Sequence, residues 1–208
     1  MAVQDVFQAV VDFEDEKVPG LVRAELDGGS PVETVLNEGL IAAMDFVGKK
    51  FSEGEMFVPE MLMAAQAMKA GLEVLRPLLA QAEAQPKGTV VIGTVQGDLH
   101  DIGKNLVAMM LEGAGFRVVD LGVDVAPSRF LQVAQESGAQ IVCMSALLTT
   151  TMPRMGETVS AIREQGLPLK TMVGGAPVTE EFAHRIGADG YSDDAPGAVE
   201  LARRLVAA

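Results

Sequence analysis

A carboxylate two residues before an imidazole, Asp98-Leu99-His100, stands in the polar turn Gly97-Asp98-Leu99-His100-Asp101-Ile102-Gly103, between an apolar run at 89–95 and a helical pattern starting at Lys104. In a chain leaving a strand, residues two apart can point the same way, so the Asp98 carboxylate can reach one ring nitrogen of His100 and leave the other outward. A carboxylate on the far N–H fixes the tautomer and makes the free nitrogen more basic, which prepares an imidazole to ligate a borderline transition metal. The same pair also serves as a plain hydrogen bond closing a turn, and the heptapeptide by itself leaves both readings open. His184, the other of the two histidines, reads as a solvated or capping residue near the end of a short helix.

Other chemistries fit poorly. A phosphate-cradling loop needs two glycines four residues apart and then Lys-Ser/Thr, whereas Gly97 and Gly103 enclose five residues and Lys104 precedes Asn105. Gly113-Ala114-Gly115 ends a helical pattern rather than following a strand, so it reads as a helix C-cap, not a dinucleotide fingerprint. Two histidines without a His-Glu-x-x-His pair argue against a zinc hydrolase. The single cysteine, Cys143, excludes an internal disulfide framework and lies in the apolar run Ile141-Val142-Cys143-Met144, where it is expected to pack.

The elements that must hold the turn divide into two kinds. Up to residue 84 every periodic stretch reads as helix: 3–16, 19–26, one from Ser30-Pro31 to Phe51, and one from Pro59 toward Gln81 that Pro77 bends or ends early. The third has the clearest start, with Ser30 as cap, Pro31 in the first position and Glu33 closing a capping box. Its helical spacing puts Leu36, Leu40, Ala43, Met44, Val47 and Phe51 on a buried face. Together these form a four-helix bundle over 1–84. Residues 85–88 read as a linker, and 89–208 alternate strands (89–95, 117–121, 140–144, 170–173 and 190–191) with helices, which implies a doubly wound α/β unit around a five-stranded parallel sheet. Ligands of such sheets bind beyond the carboxyl ends of the strands. The polar segments 96–103, 145–152 and 174–178 therefore converge at one edge.

The 208 residues carry 29 acidic against 16 basic side chains, a net charge of −13 spread through both halves. Such a balance argues against nucleic acid as a partner. The N-terminus has no basic leader and no stretch is long enough to span a bilayer, so a cytoplasmic protein without membrane contact is expected.

Three segments in register, Asp98-x-His100-x-x-Gly103, then after 41 residues Ser145-x-Leu147, then after 26 residues Gly174-Gly175, resemble the cobalamin-binding signature of corrinoid proteins in methyltransferase systems and of the cobalamin-binding module of methionine synthase. The likeness extends to the helical part, where Met56-Phe57-Val58-Pro59 matches a segment of the family's helical cap. It implies a flavodoxin-like, Rossmann-type sheet domain below the corrin ring of cobalamin. It makes His100 the lower axial cobalt ligand, Asp98 the holder of its far nitrogen, and Thr151, where the family has serine, the continuation of the proton relay. Asp101, Ile102 and Gly103 would contact the cofactor beside His100, and Ser145, Leu147, Gly174 and Gly175 would line the slot for its displaced nucleotide tail. Phe51 and Val58 match positions whose apolar side chains cover the upper side of cobalt. For Met56, Met61, Met63 and Met68, bundle packing is the simpler expectation.

The function the resemblance implies is a methyl carrier between a substrate-specific methyltransferase and a second methyltransferase serving an acceptor such as tetrahydrofolate or a thiol, with a reductive activator as a further partner. The chain would not be an enzyme on its own, since no second cluster of acid, base and nucleophile is visible beyond His100. A cobalamin-dependent sensor or regulator is the alternative, but it would need an output domain. The cobalamin subunit of a carbon-skeleton mutase is another, although such subunits generally lack the helical cap.

Overall fold

The computed structural model describes residues 3–81 and 86–207. It falls into two compact units, Met1–Gln85 and Pro86–Ala208. Gln85, where the linker was expected to begin, lies outside the described residues.

The first unit holds α1 (Val3–Val11), α2 (Val18–Asp27), a continuous helical stretch built of α3 (Val32–Thr34), a π-helical segment (Val35–Ile41) and α4 (Ala42–Ser52), and α5 (Val58–Gln81). Its core is aliphatic, with Val6, Val22, Leu40, Met44, Val47 and Leu75 buried. Met61 and Met68 are buried in it, whereas Met63 is 45% exposed.

Several local expectations are corrected here. α1 stops at Val11 instead of reaching residue 16, because Phe13 adopts a left-handed φ of 64° and the Glu14 N–H turns back to the Ala9 carbonyl at 2.9 Å. The capping box does not form: Pro31 takes the N-cap position, and the Ser30 hydroxyl donates to Glu25 Oε2 at 2.9 Å. Glu25 is 6% exposed, and a buried carboxylate has the stronger claim on a hydroxyl than a helix end open to water. In the π-helical segment, the Ala42 N–H reaches five residues back to the Asn37 carbonyl. Leu40, Ala43, Met44 and Val47 of the expected face are buried, while the wider turn also buries Val35, Gly39 and Ile41, and Leu36 and Phe51 are half-buried. Pro77 lies inside α5 and does not end it.

The second unit is the expected doubly wound sheet. Its elements are β1 (Thr89–Thr94), α6 (Ile102–Gly113), β2 (Arg117–Asp120), α7 (Pro127–Ser137), β3 (Ile141–Ser145), α8 (Pro153–Glu164), β4 (Lys170–Gly174), α9 (Glu180–Ile186), β5 (Gly190–Tyr191) and α10 (Ala195–Ala207). All pairings are parallel, in the order β2-β1-β3-β4-β5, the flavodoxin-like order with its switch point between β1 and β3. α6 packs with α10, and α7 with α8. Val91, Val142, Met144 and Val173 meet Phe130, Met155, Val159 and Ile162 in one apolar layer. α6 begins two residues before the expected Lys104, with Asp101 as N-cap. Among the described residues, no helix is long and apolar enough to cross a membrane.

Candidate functional site

Register places the site. Thr94, Ser145 and Gly174 pair across β1, β3 and β4, so the segments that follow these strands leave the sheet side by side at its carboxyl edge. The β1 segment turns at once, with Gly97 at φ 85° and the Asp98 N–H bonded to the Val95 carbonyl at 3.1 Å. The turn brings Asp98 to the switch point, where its side chain is fully buried.

A buried carboxylate is costly unless donors surround it. Asp98 Oδ1 accepts from His100 Nδ1 at 2.7 Å and from the His100 N–H at 3.1 Å. Oδ2 accepts from the Leu147 N–H at 2.8 Å, the Leu148 N–H at 3.1 Å and the Thr151 hydroxyl at 2.8 Å. Burial alone would push the Asp98 carboxyl up, but the His100 ring, the Leu147 and His100 amides and the Thr151 hydroxyl outweigh it and hold the group well below the usual carboxylate range. Asp98 is therefore ionised and accepts from Nδ1 of His100, which leaves Nε2 as the ring nitrogen not engaged by the carboxylate. The His100 side chain is 51% exposed, and the backbone behind it is held by Thr94 Oγ1, which donates to the His100 carbonyl at 2.8 Å.

The structure thus brings Asp98, His100, Leu147 and Thr151 into one network, and Thr151 supplies the hydroxyl expected of it. Its oxygen also lies 2.8 Å from the Leu148 carbonyl, so one hydroxyl proton has two acceptors within reach. Gly175 adjoins the network because a Cβ there, at φ 124°, would run into the Ala146 carbonyl oxygen. Gly174 is less constrained, its Cβ position lying 3.0 Å from the Ser192 carbonyl oxygen. Asp101 uses its carboxylate on Asn105 Nδ2 at 3.2 Å, and a Cβ added to Gly103 would meet open space. Phe51, at the end of α4, is half-buried, and Val58, at the start of α5, is 38% exposed; both belong to the helical unit. His184 is exposed in the last turn of α9, and Cys143 is buried in β3 with its thiol pushed up to about 12 by desolvation.

Sequence reasoning missed two features. The Leu148 amide is a donor that no side-chain pattern reports. The exposed Leu99 and Leu148 stand beside Ile102 and Leu147, which were expected at the site, and the signal for them was present: large apolar residues in strand-to-helix turns, where polar ones are usual. A lone basic imidazole amid exposed aliphatic side chains suits a metal that arrives with most of its ligands in a broad apolar frame. Among the described residues, no group of three or more His, Cys, Asp and Glu side chains could hold a metal ion.

Comparison with known proteins points the same way. A B12 binding domain model matches residues 88–200, and a second B12 binding domain model matches residues 2–76. A corrinoid protein of Desulfitobacterium hafniense (strain Y51) is 40% identical over 98% of this chain and 97% of its own length. The trimethylamine corrinoid protein of Methanosarcina barkeri is 45% identical over 92% of this chain and 90% of its own length. Among solved structures, the methanol:cobalamin methyltransferase complex MtaBC from Methanosarcina barkeri matches with a TM-score of 0.89 and 30% identity, covering 99% of this chain and 79% of that one.

Proposed function

This chain belongs to the B12-binding corrinoid proteins, and from that premise we propose that it is a methyl carrier which binds one cobalamin with His100 on cobalt. The observation that carries the reading is the buried Asp98 carboxylate, which spends five donors on fixing one imidazole with Nε2 free. When bound, the corrinoid supplies a cobalt centre able to accept a methyl group and give it up. His100 would hold the cobalt through Nε2, with Asp98 setting the ring's orientation from Nδ1. Thr151, whose hydroxyl reaches both the Asp98 carboxylate and the Leu148 carbonyl, would continue the relay. In the α/β unit, Asp101, Ile102 and Gly103 would contact the cofactor beside His100, and Ser145, Leu147, Gly174 and Gly175 would hold its nucleotide tail; Phe51 and Val58 of the helical unit would supply apolar cover against water.

A substrate-specific methyltransferase is the first partner, supported by the relatives named for trimethylamine and by the methanol methyltransferase complex. A second methyltransferase takes the group to an acceptor such as tetrahydrofolate or a thiol, and a reductive activator restores the cobalt. The chain turns over no substrate alone, because activating an amine, alcohol or ether requires an acid or metal on the leaving group that the partner must bring.

Electron paramagnetic resonance of the cobalt(II) form tests the ligand. Histidine labelled with nitrogen-15 should change the nitrogen splitting, and His100→Ala should abolish that sensitivity. An unchanged spectrum in His100→Ala overturns the assignment. Rapid methylation of the reduced protein by an unactivated amine or alcohol, with no methyltransferase present, overturns the carrier role.

A further inference from the structure

Asp124 lies in the loop after β2 and reads in sequence as an ordinary turn residue. The structure places it differently. Its Oδ1 accepts the Gly97 N–H at 2.7 Å, and its own N–H donates to the Asp98 carbonyl at 3.0 Å. One residue therefore grips the dipeptide Gly97-Asp98 at both ends, from 27 positions away. The rest of its loop is sewn to the same segment: the Thr94 N–H donates to the Gly122 carbonyl at 2.9 Å, the Val125 N–H to the Thr94 carbonyl at 3.0 Å, and Val95 bridges Val125.

Asp124 holds this position at φ 55°; Phe13 is the other non-glycine residue with positive φ among the described residues. A left-handed conformation costs an L-residue free energy and persists where its surroundings over-determine it; aspartate tolerates it better than most. The side it grips is adaptable by nature. Gly97, at φ 85°, has no side chain to limit its rotation, yet the direction in which Asp98 leaves the backbone decides where His100 Nδ1 is held. Asp124 touches neither the imidazole nor the Asp98 carboxylate in these bonds, so it acts through the backbone alone.

We propose that Asp124 is the positioning residue of the histidine loop, clamping Gly97-Asp98 so that the Asp98 carboxylate and the His100 ring are aligned for ligation before any cofactor arrives. The inference rests on His100 being the axial ligand. Asp124→Asn retains an acceptor oxygen and tolerates the positive φ, so it should behave as the native protein. Asp124→Ala and Asp124→Gly remove the acceptor, and the glycine variant does so without backbone strain.

Two measurements test it on the full chain. In the cofactor-free protein, hydrogen exchange at the Gly97 amide should be faster in Asp124→Ala and Asp124→Gly than in the native protein and Asp124→Asn. In the cobalamin-loaded cobalt(II) form, the ratio of histidine-ligated to histidine-free cobalt should fall roughly fivefold in the first two variants, the factor expected for one lost hydrogen bond. Should Asp124→Ala fail to fold, Asp124→Gly carries both measurements. Native exchange and a native ratio in the glycine variant overturn the inference, as does an Asp124→Asn protein impaired as much as the glycine variant. A His100→Ala control separates the two proposals: if it keeps the native spectrum, the ligand assignment fails, and if it loses the signal while Asp124→Gly keeps it, the clamp alone fails.

Discussion

The two units are stabilised in different ways. In the helical unit, polar side chains pair on the surface, most with near neighbours, as Gln8 with Asp12, Lys17 with Glu14 and Lys50 with Glu55, and Gln66 with Asp15 from 51 positions away, while Leu40, Met44, Met61 and Met68 fill the interior. In the α/β unit, Asp98 joins residues 49 to 53 positions away, Asp124 reaches 27, and Lys104, with a side chain 1% exposed, meets Asp120 at 2.6 Å. An apolar interior asks for volume and tolerates several ways of filling it. A buried polar network asks for particular atoms in particular places, and it secures a side-chain position that packing alone does not. The contrast teaches that the ability to hold one ring nitrogen in place is concentrated at one edge of the sheet.

Substitutions that are small in volume should therefore be severe at that edge and mild in the bundle. The largest effect is expected for Gly175→Ala, which sets a Cβ against the Ala146 carbonyl at φ 124° and should cost about 4 kcal/mol in urea unfolding. Asp98→Asn comes next: one carboxylate oxygen becomes an NH2 facing donors, and a loss of about 2–3 kcal/mol should accompany an altered His100 ring environment in nitrogen NMR. Thr151→Val, which removes one hydroxyl from Asp98, should cost about 1 kcal/mol while cobalamin is retained. Met68→Leu in the bundle should cost less than about 1 kcal/mol. A bundle variant as damaging as Asp98→Asn would erase the distinction. The smallest effect sharpens it: Cys143, with its thiol raised to about 12, stays protonated at pH 8, and native protein should react with iodoacetamide far more slowly than unfolded protein. Equal rates would show that the strands at the centre of the sheet open freely.

Much of this molecule was legible along the chain. Apolar runs of β-branched residues alternating with helical periods specified a parallel sheet, since strand and helix each announce themselves within a few residues. Asp98-x-His100 was equally local: two residues leaving a strand bring their own side chains together, as the 2.7 Å contact records. Tertiary structure decided the rest. The Leu147 and Leu148 amides, the Thr151 hydroxyl and the Asp124 clamp meet the histidine loop only because β1 lies beside both β2 and β3 in one register, and no local pattern states strand order. Tertiary context also overrode local signals, where the buried Glu25 took the hydroxyl that Ser30 would have used as a cap and where Leu36 and Phe51 of the third helix were left half-buried. The sequence by itself determined which residues could make a ligand and its holder, because that chemistry spans three positions. Only the folded sheet decided how firmly the holder is held, because that depends on groups brought from 27 to 53 residues away.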